Sequence, residues 1–279
     1  MDSHTDAERL PALPLDDPKW SPAELEPWGQ VDEAKARLTQ ECMRRRGFDD
    51  FPLHPAPAEP IGDDPAPAVA TGMSFSSRFH PTDPGYAKRW GYGYDPDASR
   101  KSMERYLREE KAKNTGRPLT PAEDDAEYSC RPESSDSSRL TKGVSGTGPY
   151  HLRDFLSYID TRKMTVAEQA EKDPELKEAF ASWSVCMTDK GQKAYESPGA
   201  AGKYWRDKQS KDMKQGALAT STAIADVECK FEHNTIGIWW HVLKRHEEAD
   251  LKRHKDRYGQ VRKDMDAYLS NARAVLEKS

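Results

Sequence analysis

The chain has 279 residues, 48 acidic and 43 basic side chains and a formal net charge of −5. Only 35% of its residues are apolar and 33% are charged, so little oily material is available per residue. No run of roughly 18 apolar residues can cross a bilayer, no basic excess suits a general nucleic-acid binder, and no glycine-rich phosphate loop, zinc tetrad or nucleophile elbow is present.

Proline divides the sequence. Residues 1–150 hold 18 of the 20 prolines, and residues 151–279 hold only Pro174 and Pro198. Proline fixes φ and removes a backbone donor, so the first part predicts extended chain with short helices and the second allows nearly continuous helix. Three segments follow: 1–30, polar and punctuated by Pro11, Pro14 and Pro18, as a mobile N-terminal stretch; 31–150; and 151–279, which can form one unit with 31–150.

In chain order, Ser21-Pro22-Ala23-Glu24 has the form of a capping box with proline at the first helical position. The stretch 31–46 places Val31, Ala34, Leu38 and Cys42 on one face and stops at Gly47. Prolines 52, 55, 57, 60, 65 and 67 exclude helix and central strand there. A helix is predicted over 99–114, a second capping box at Thr120-Pro121-Ala122-Glu123, and a surface loop over 131–149. In the second half, Thr165-x-x-Glu168 opens a helix that Asp173-Pro174 restarts, and Leu176, Phe180, Trp183 and Met187 form a core-facing stripe ending at Gly191. Residues 200–213 predict a helix with Tyr204 and Trp205. A long helix starts near Ala217, with Ile224, Val227 and Phe231 on one face, then an apolar run 236–243 and a solvated stretch 244–257. Gly259 is the expected bend, beyond which Val261, Met265, Tyr268, Leu269, Ala272 and Val275 mark a last amphipathic helix. No strand alternation stands out. The predicted fold is all-α, a loop-rich, proline-rich N-terminal half with short helices packed on a long-helix C-terminal half.

The four cysteines lie at 42, 130, 186 and 229, and two sit in matching contexts, Cys42-Met43-x-x-x-Gly47 and Cys186-Met187-x-x-x-Gly191. The simplest of three connectivities pairs Cys42 with Cys130 and Cys186 with Cys229, one clip per half. Bridges suit a chain with a lean core, since each restricts the unfolded state. The alternative is four buried thiols in a cytosolic protein. Disulfides need an oxidising compartment, and Met1-Asp2-Ser3-His4-Thr5-Asp6 has neither the basic nor the apolar region of a signal peptide. The bridged reading therefore expects an export segment upstream of Met1.

Cys-Met-x-x-x-Gly-Phe before a proline-rich stretch, then Tyr92-Gly93-Tyr94, then Trp183-x-x-Cys186-Met187-x-x-x-Gly191 with Asp226-Val227-x-Cys229 downstream, resembles a group of uncharacterised secreted or lipid-anchored actinobacterial envelope proteins across roughly residues 30–240. The resemblance implies a lipid anchor ahead of the mature chain, a place beside envelope transport or cell-wall systems, and no assigned reaction. Tyr128-Ser129-Cys130-Arg131-Pro132 departs from that pattern, which bears on the first bridge more than the second.

Candidate chemistry is sparse. His233, His241, His246 and His254 are spaced 8, 5 and 8 residues apart, whereas ligands on one helical face need gaps of 3 or 4, so no metal site is read from them. Acidic pairs such as Asp49-Asp50, Asp63-Asp64 and Glu247-Glu248 lack the rigid cleft a glycosidase needs, and Gly143-Val144-Ser145-Gly146 lacks a strand–turn–helix frame. No catalytic residue and no cofactor is assigned. Trp90, Tyr92 and Tyr94, with Trp239 and Trp240, can present a partner-binding surface; equally, they can supply core that the helices lack. Arg44-Arg45-Arg46 can meet headgroups or an acidic partner, although a helix C-terminus favours basic residues anyway.

The sequence thus predicts an exported, non-enzymatic, disulfide-bridged scaffold, secreted or anchored on the outer face of the membrane, that binds a protein or cell-wall component and no nucleic acid. The runners-up are a hydrolase of an envelope polymer, acting between the two halves, and a cytosolic helical interaction protein with free thiols.

Overall fold

The structure is a computed structural model; it describes residues 10–20, 28–56, 79–93, 97, 100–101, 104–105, 108, 115–135, 137–145, 151–209 and 217–278. These residues are all-α, with no strand among them and a single isolated bridge between Ala56 and Pro118. The Ser21 capping box lies outside the described residues, as does much of the helix predicted over 99–114, of which 100, 101, 104, 105 and 108 are helical.

The chain divides into two units that interleave in sequence, and each draws residues from both sides of position 150. One comprises Met1–Asp16, Ala66–Lys101 and Lys163–Asp250; the other comprises Asp17–Pro65, Ser102–Arg162 and Leu251–Ser279. The helices are α1 (Trp28–Arg45), α2 (Pro84–Trp90), α3 (Pro121–Ser135), α4 (Ser138–Thr141), α5 (His151–Ala170), α6 (Pro174–Asp189), α7 (Pro198–Gln209), α8 (Ala217–Glu232), α9 (Thr235–Arg253) and α10 (Lys255–Leu276).

In the first unit, Asp83 caps α2 by accepting the Tyr86 N–H, and Asp173 caps α6 by accepting the Glu175 N–H, each followed by proline at N1. The predicted stripe on α6 holds: Leu176, Phe180, Trp183 and Met187 are all buried. Phe79, Phe180 and Trp239 form an edge-on aromatic group, with ring centroids 4.0 and 5.2 Å from Trp239. Leu13 and Leu15 are buried too, and the Leu15 N–H donates to buried Glu247 at 2.9 Å. Residues 10–16 are therefore built into this unit, because three leucines within six residues (Leu10, Leu13 and Leu15) outweigh the prolines between them.

In the second unit, α1 packs against α3 and α10, and α4 packs against α10. Val31, Ala34, Leu38 and Cys42 are the buried face of α1, as their spacing predicts. The Thr120 box closes reciprocally: the Glu123 N–H donates to Thr120 Oγ1 at 3.3 Å, and the Thr120 N–H donates to Glu123 Oε2 at 2.9 Å.

Several boundaries differ from expectation. Helix α5 already runs through Thr165, so Thr165-x-x-Glu168 sits inside a helix and is no start signal. The supposed loop 131–149 begins inside α3, which continues past Pro132 to Ser135, and then forms α4. Packing against α1 and the bridge at Cys130 hold α3 together across the donor that Pro132 lacks. The long C-terminal helix is three helices. It breaks at Asn234, whose φ is +47°, and at His254, while Gly259 lies within α10. The stretch 244–257 is only partly solvated, since Glu247 and Asp250 are buried.

Candidate functional site

Helix α8 is built to be approached closely. Ala219, Ala223 and Ala225 are buried, so neighbouring backbone comes near, and the helix carries Asp226, Cys229 and Lys230 into the interior with them. Val227 is buried as predicted, but Ile224 and Phe231 are only partly covered, so the buried face is more polar than the apolar residues alone suggest.

Asp226 and Lys230 stand one turn apart and form a 2.8 Å ion pair with both side chains fully buried. Lys230 Nζ also donates to the carbonyls of Phe79 at 2.5 Å and Pro81 at 3.0 Å, so all three of its protons are placed. Asp226 accepts the Trp183 indole N–H at 3.1 Å, and the Tyr92 hydroxyl adds to the groups that favour its charged form. Burial pushes the Asp226 carboxyl up and the Lys230 amine down, and each charge opposes the shift of the other. Breaking either partner would strand the other charge without solvent. Chemically this is a clasp: the lysine end ties residues 79–81 to α8, and the carboxylate end ties α6 to it through Trp183.

Above the clasp, Cys186 of α6 is bridged to Cys229 of α8 with the Cα atoms 5.8 Å apart, within the span a disulfide needs. A groove of about 510 Å³ between these helices is lined by Val185, Cys186, Asp189, Lys190, Glu232 and His233, with Ala181 and Ser182 behind them. Val185 is 59% exposed there, and Lys190 Nζ lies 3.0 Å from Glu228 and 4.0 Å from Glu232. The hydrogen bond from Lys190 to Glu228 raises its pKa.

The second bridge joins Cys42 of α1 to Cys130 of α3, with Cα atoms 5.9 Å apart. Each unit thus holds one disulfide, paired as the Cys-Met-x-x-x-Gly echo predicts. The echo is structural. Gly47 and Gly191 have φ of +88° and +72°, and the next residue in each case sends its N–H back to the buried methionine, Phe48 to Met43 O at 3.1 Å and Gln192 to Met187 O at 2.9 Å. This is the Schellman ending, written twice.

Other ionisable groups are similarly engaged. Asp173 accepts from His246 at 3.0 Å and Arg245 at 2.9 Å, contacts that hold its pKa below the usual range. In the second unit, buried Asp264 receives the Ser145 N–H at 2.8 Å, the Ser145 hydroxyl at 2.5 Å and the Gln260 amide at 2.9 Å.

The aromatic residues proposed from sequence as a binding surface are dispersed. Tyr92 and Trp239 are 2% and 1% exposed and sit in the core of the first unit. Trp240 is partly buried and donates its indole N–H to Pro11 O at 2.9 Å, Trp90 is partly exposed at the end of α2, and Tyr94 lies outside the described residues. Burial of Tyr92 and Trp239 suits a lean composition, and Trp183, Trp239, Tyr92 and Tyr268 are among the largest fully buried side chains.

Of the four histidines singled out from sequence, His241 is exposed, His246 joins Asp173, His254 separates α9 from α10, and His233 lines the groove. Sequence reasoning missed the Asp226–Lys230 clasp and the Glu232–His233 pair. The signals were present: an acid four residues before a lysine, and Cys229-x-x-Glu232-His233 at i, i+3 and i+4. Compared with known proteins, the chain matches no family, no curated sequence and no solved structure.

Proposed function

We propose that this chain is an exported, non-enzymatic scaffold, secreted or held by a lipid anchor on the outer face of the membrane, that binds a protein or cell-wall component of the envelope. The carrying observation is the pair of disulfides, one in each unit, closing spans of 88 and 43 residues. Bridges of this kind persist in oxidising compartments and are rare where glutathione keeps thiols reduced. The resemblance to actinobacterial envelope proteins points the same way.

A structural role for the ionisable core supports the non-enzymatic reading. Asp226, Lys230, Glu247 and Asp264 are buried and hydrogen-bonded to the protein itself, so their charges serve to fix loops. The α6–α8 groove, with exposed Val185 beside Asp189, Lys190 and Glu232, is the surface assigned to the partner.

The test begins with the protein taken from its producing cell and alkylated under denaturing, non-reducing conditions. Mass spectrometry should find no alkylated cysteine, and fractionation should place the chain in the envelope or the medium. Four alkylated cysteines in the cytosolic fraction would sink the reading. Co-sedimentation with isolated cell walls, weakened by Val185→Glu, then separates a wall ligand from a protein one.

A further inference from the structure

The groove holds more than a bridge. Cys229 and Glu232 at the end of α8 and His233 just past it lie within one turn, and the His233 N–H donates to the Cys229 carbonyl at 3.1 Å, so the helical hydrogen bonding carries on to His233. Cys186 reaches the same place from α6. One ligand atom each from Cys186, Glu232 and His233 lies within 4.8 Å of the others, and the groove opens onto all three.

A bridged sulfur is not a thiolate and is a poor metal ligand. With the bridge open, the same spot presents two thiolates, an imidazole and a carboxylate, which is a donor set that zinc accepts in a tetrahedron. Zinc bonds of about 2.0–2.3 Å require these atoms to draw closer, and the exposed Glu232 side chain, together with a Cys229 released from its partner, can do so. Lys190 is the competing cation; it keeps Glu228 at 3.0 Å when Glu232 turns to the metal. The other bridge differs, because Cys42 has Glu133 near it, held by Arg45, and no histidine joins a ligand cluster there among the described residues.

We infer that reduction of Cys186–Cys229 creates a zinc site from Cys186, Cys229, Glu232 and His233. A dithiol reductant supplies two electrons and two protons, its own sulfurs pairing as the protein S–S bond breaks into two thiols. Zinc then binds both sulfurs, and the two thiol protons leave to solvent. A disulfide oxidant reverses the exchange: it accepts two electrons and two protons, the protein S–S bond re-forms, and zinc is released. The site is a property of the first unit and holds wherever the chain resides.

The experiment uses the full chain, reduced with a phosphine and freed of metal. It is titrated with zinc against a chromophoric chelator, and separately with cobalt(II). One zinc per reduced chain and none per oxidised chain is expected. Cobalt should give a tetrahedral visible spectrum with thiolate charge transfer. His233→Ala and Glu232→Gln, at a half-buried and an exposed position, should each weaken zinc about tenfold or more, while Cys42→Ser/Cys130→Ser keeps the site. Zinc should raise the melting temperature of the reduced chain only. A stoichiometry below one, an octahedral cobalt spectrum, unchanged affinity in His233→Ala, or a reduced chain that zinc does not stabilise would each overturn the inference.

Discussion

Lys230 lies one helical turn beyond Asp226 and closes an ion pair with it at 2.8 Å, with neither side chain reaching solvent. The same ammonium caps the carbonyls of Phe79 and Pro81, two positions about 150 residues distant in sequence. The pair therefore does the work of a loop anchor, and its removal should be felt by residues 79–93 first.

Replacing one partner tests this. Lys230→Met or Asp226→Leu leaves a buried charge unmatched and should destabilise by about 3–5 kcal/mol, whereas the double replacement should recover much of the loss. Urea unfolding of the three variants gives the coupling directly. Additive losses would show that the two residues act separately.

Two glycines should respond in opposite directions. A Cβ at Gly116 would stand 2.5 Å from His54 O and 2.8 Å from Pro52 Cβ, so Gly116→Ala should destabilise by about 1–3 kcal/mol because backbone must shift. Gly259 lies inside α10 with nothing near a built Cβ, so Gly259→Ala should stabilise by up to about 1 kcal/mol through helix propensity. Thermal melts of the pair check both signs.

Much of the architecture was legible because its periodicities are local. The stripes on α1, α6 and α10 follow from spacing, and the glycines after Met43 and Met187 mark true helix stops. The cysteine pairing was legible through the same repeated stop. Asn234 hid because one left-handed residue in a short polar stretch between two helical patterns leaves little compositional trace, and α3 hid because a bridge and a partner helix override Pro132. The clasp was invisible for another reason: Asp226 and Lys230 read as a surface pair until Trp183 and residues 79–81 close over them.

Acid should loosen the start of α3. The Arg117 guanidinium, with the Thr120 N–H and hydroxyl, holds Glu123 down to about 2 from an ordinary 4.5. A depressed carboxylate stabilises the folded state fully above its unfolded pKa, and that contribution drains away as pH falls from about 4.5 toward 2. Glu123→Gln should remove this part of the pH dependence, and Thr120→Ala should lose about 1 kcal/mol at neutral pH. Denaturant midpoints measured from pH 7 to pH 2 will show whether the slope flattens in the glutamine variant.

Each bridge should matter more the longer the chain it closes, but only as the logarithm of that length. Loop entropy assigns about 4–5 kcal/mol to the 88-residue span and about 4 to the 43-residue span. Cys42→Ser/Cys130→Ser and Cys186→Ser/Cys229→Ser should each lower the denaturant midpoint strongly, the first slightly more. Equal stability with and without a bridge would deny it any part in holding the fold.

The completeness of the Lys230 enclosure has a consequence for surface chemistry. An amine whose lone pair is occupied by a proton, and whose approach is blocked on every side, offers nothing to an acylating or methylating reagent. In a labelling footprint of the native chain, the peptide carrying position 230 should stay unmodified while Lys190 on the α6–α8 rim reacts, and its sudden reactivity would report the moment residues 79–93 lift away.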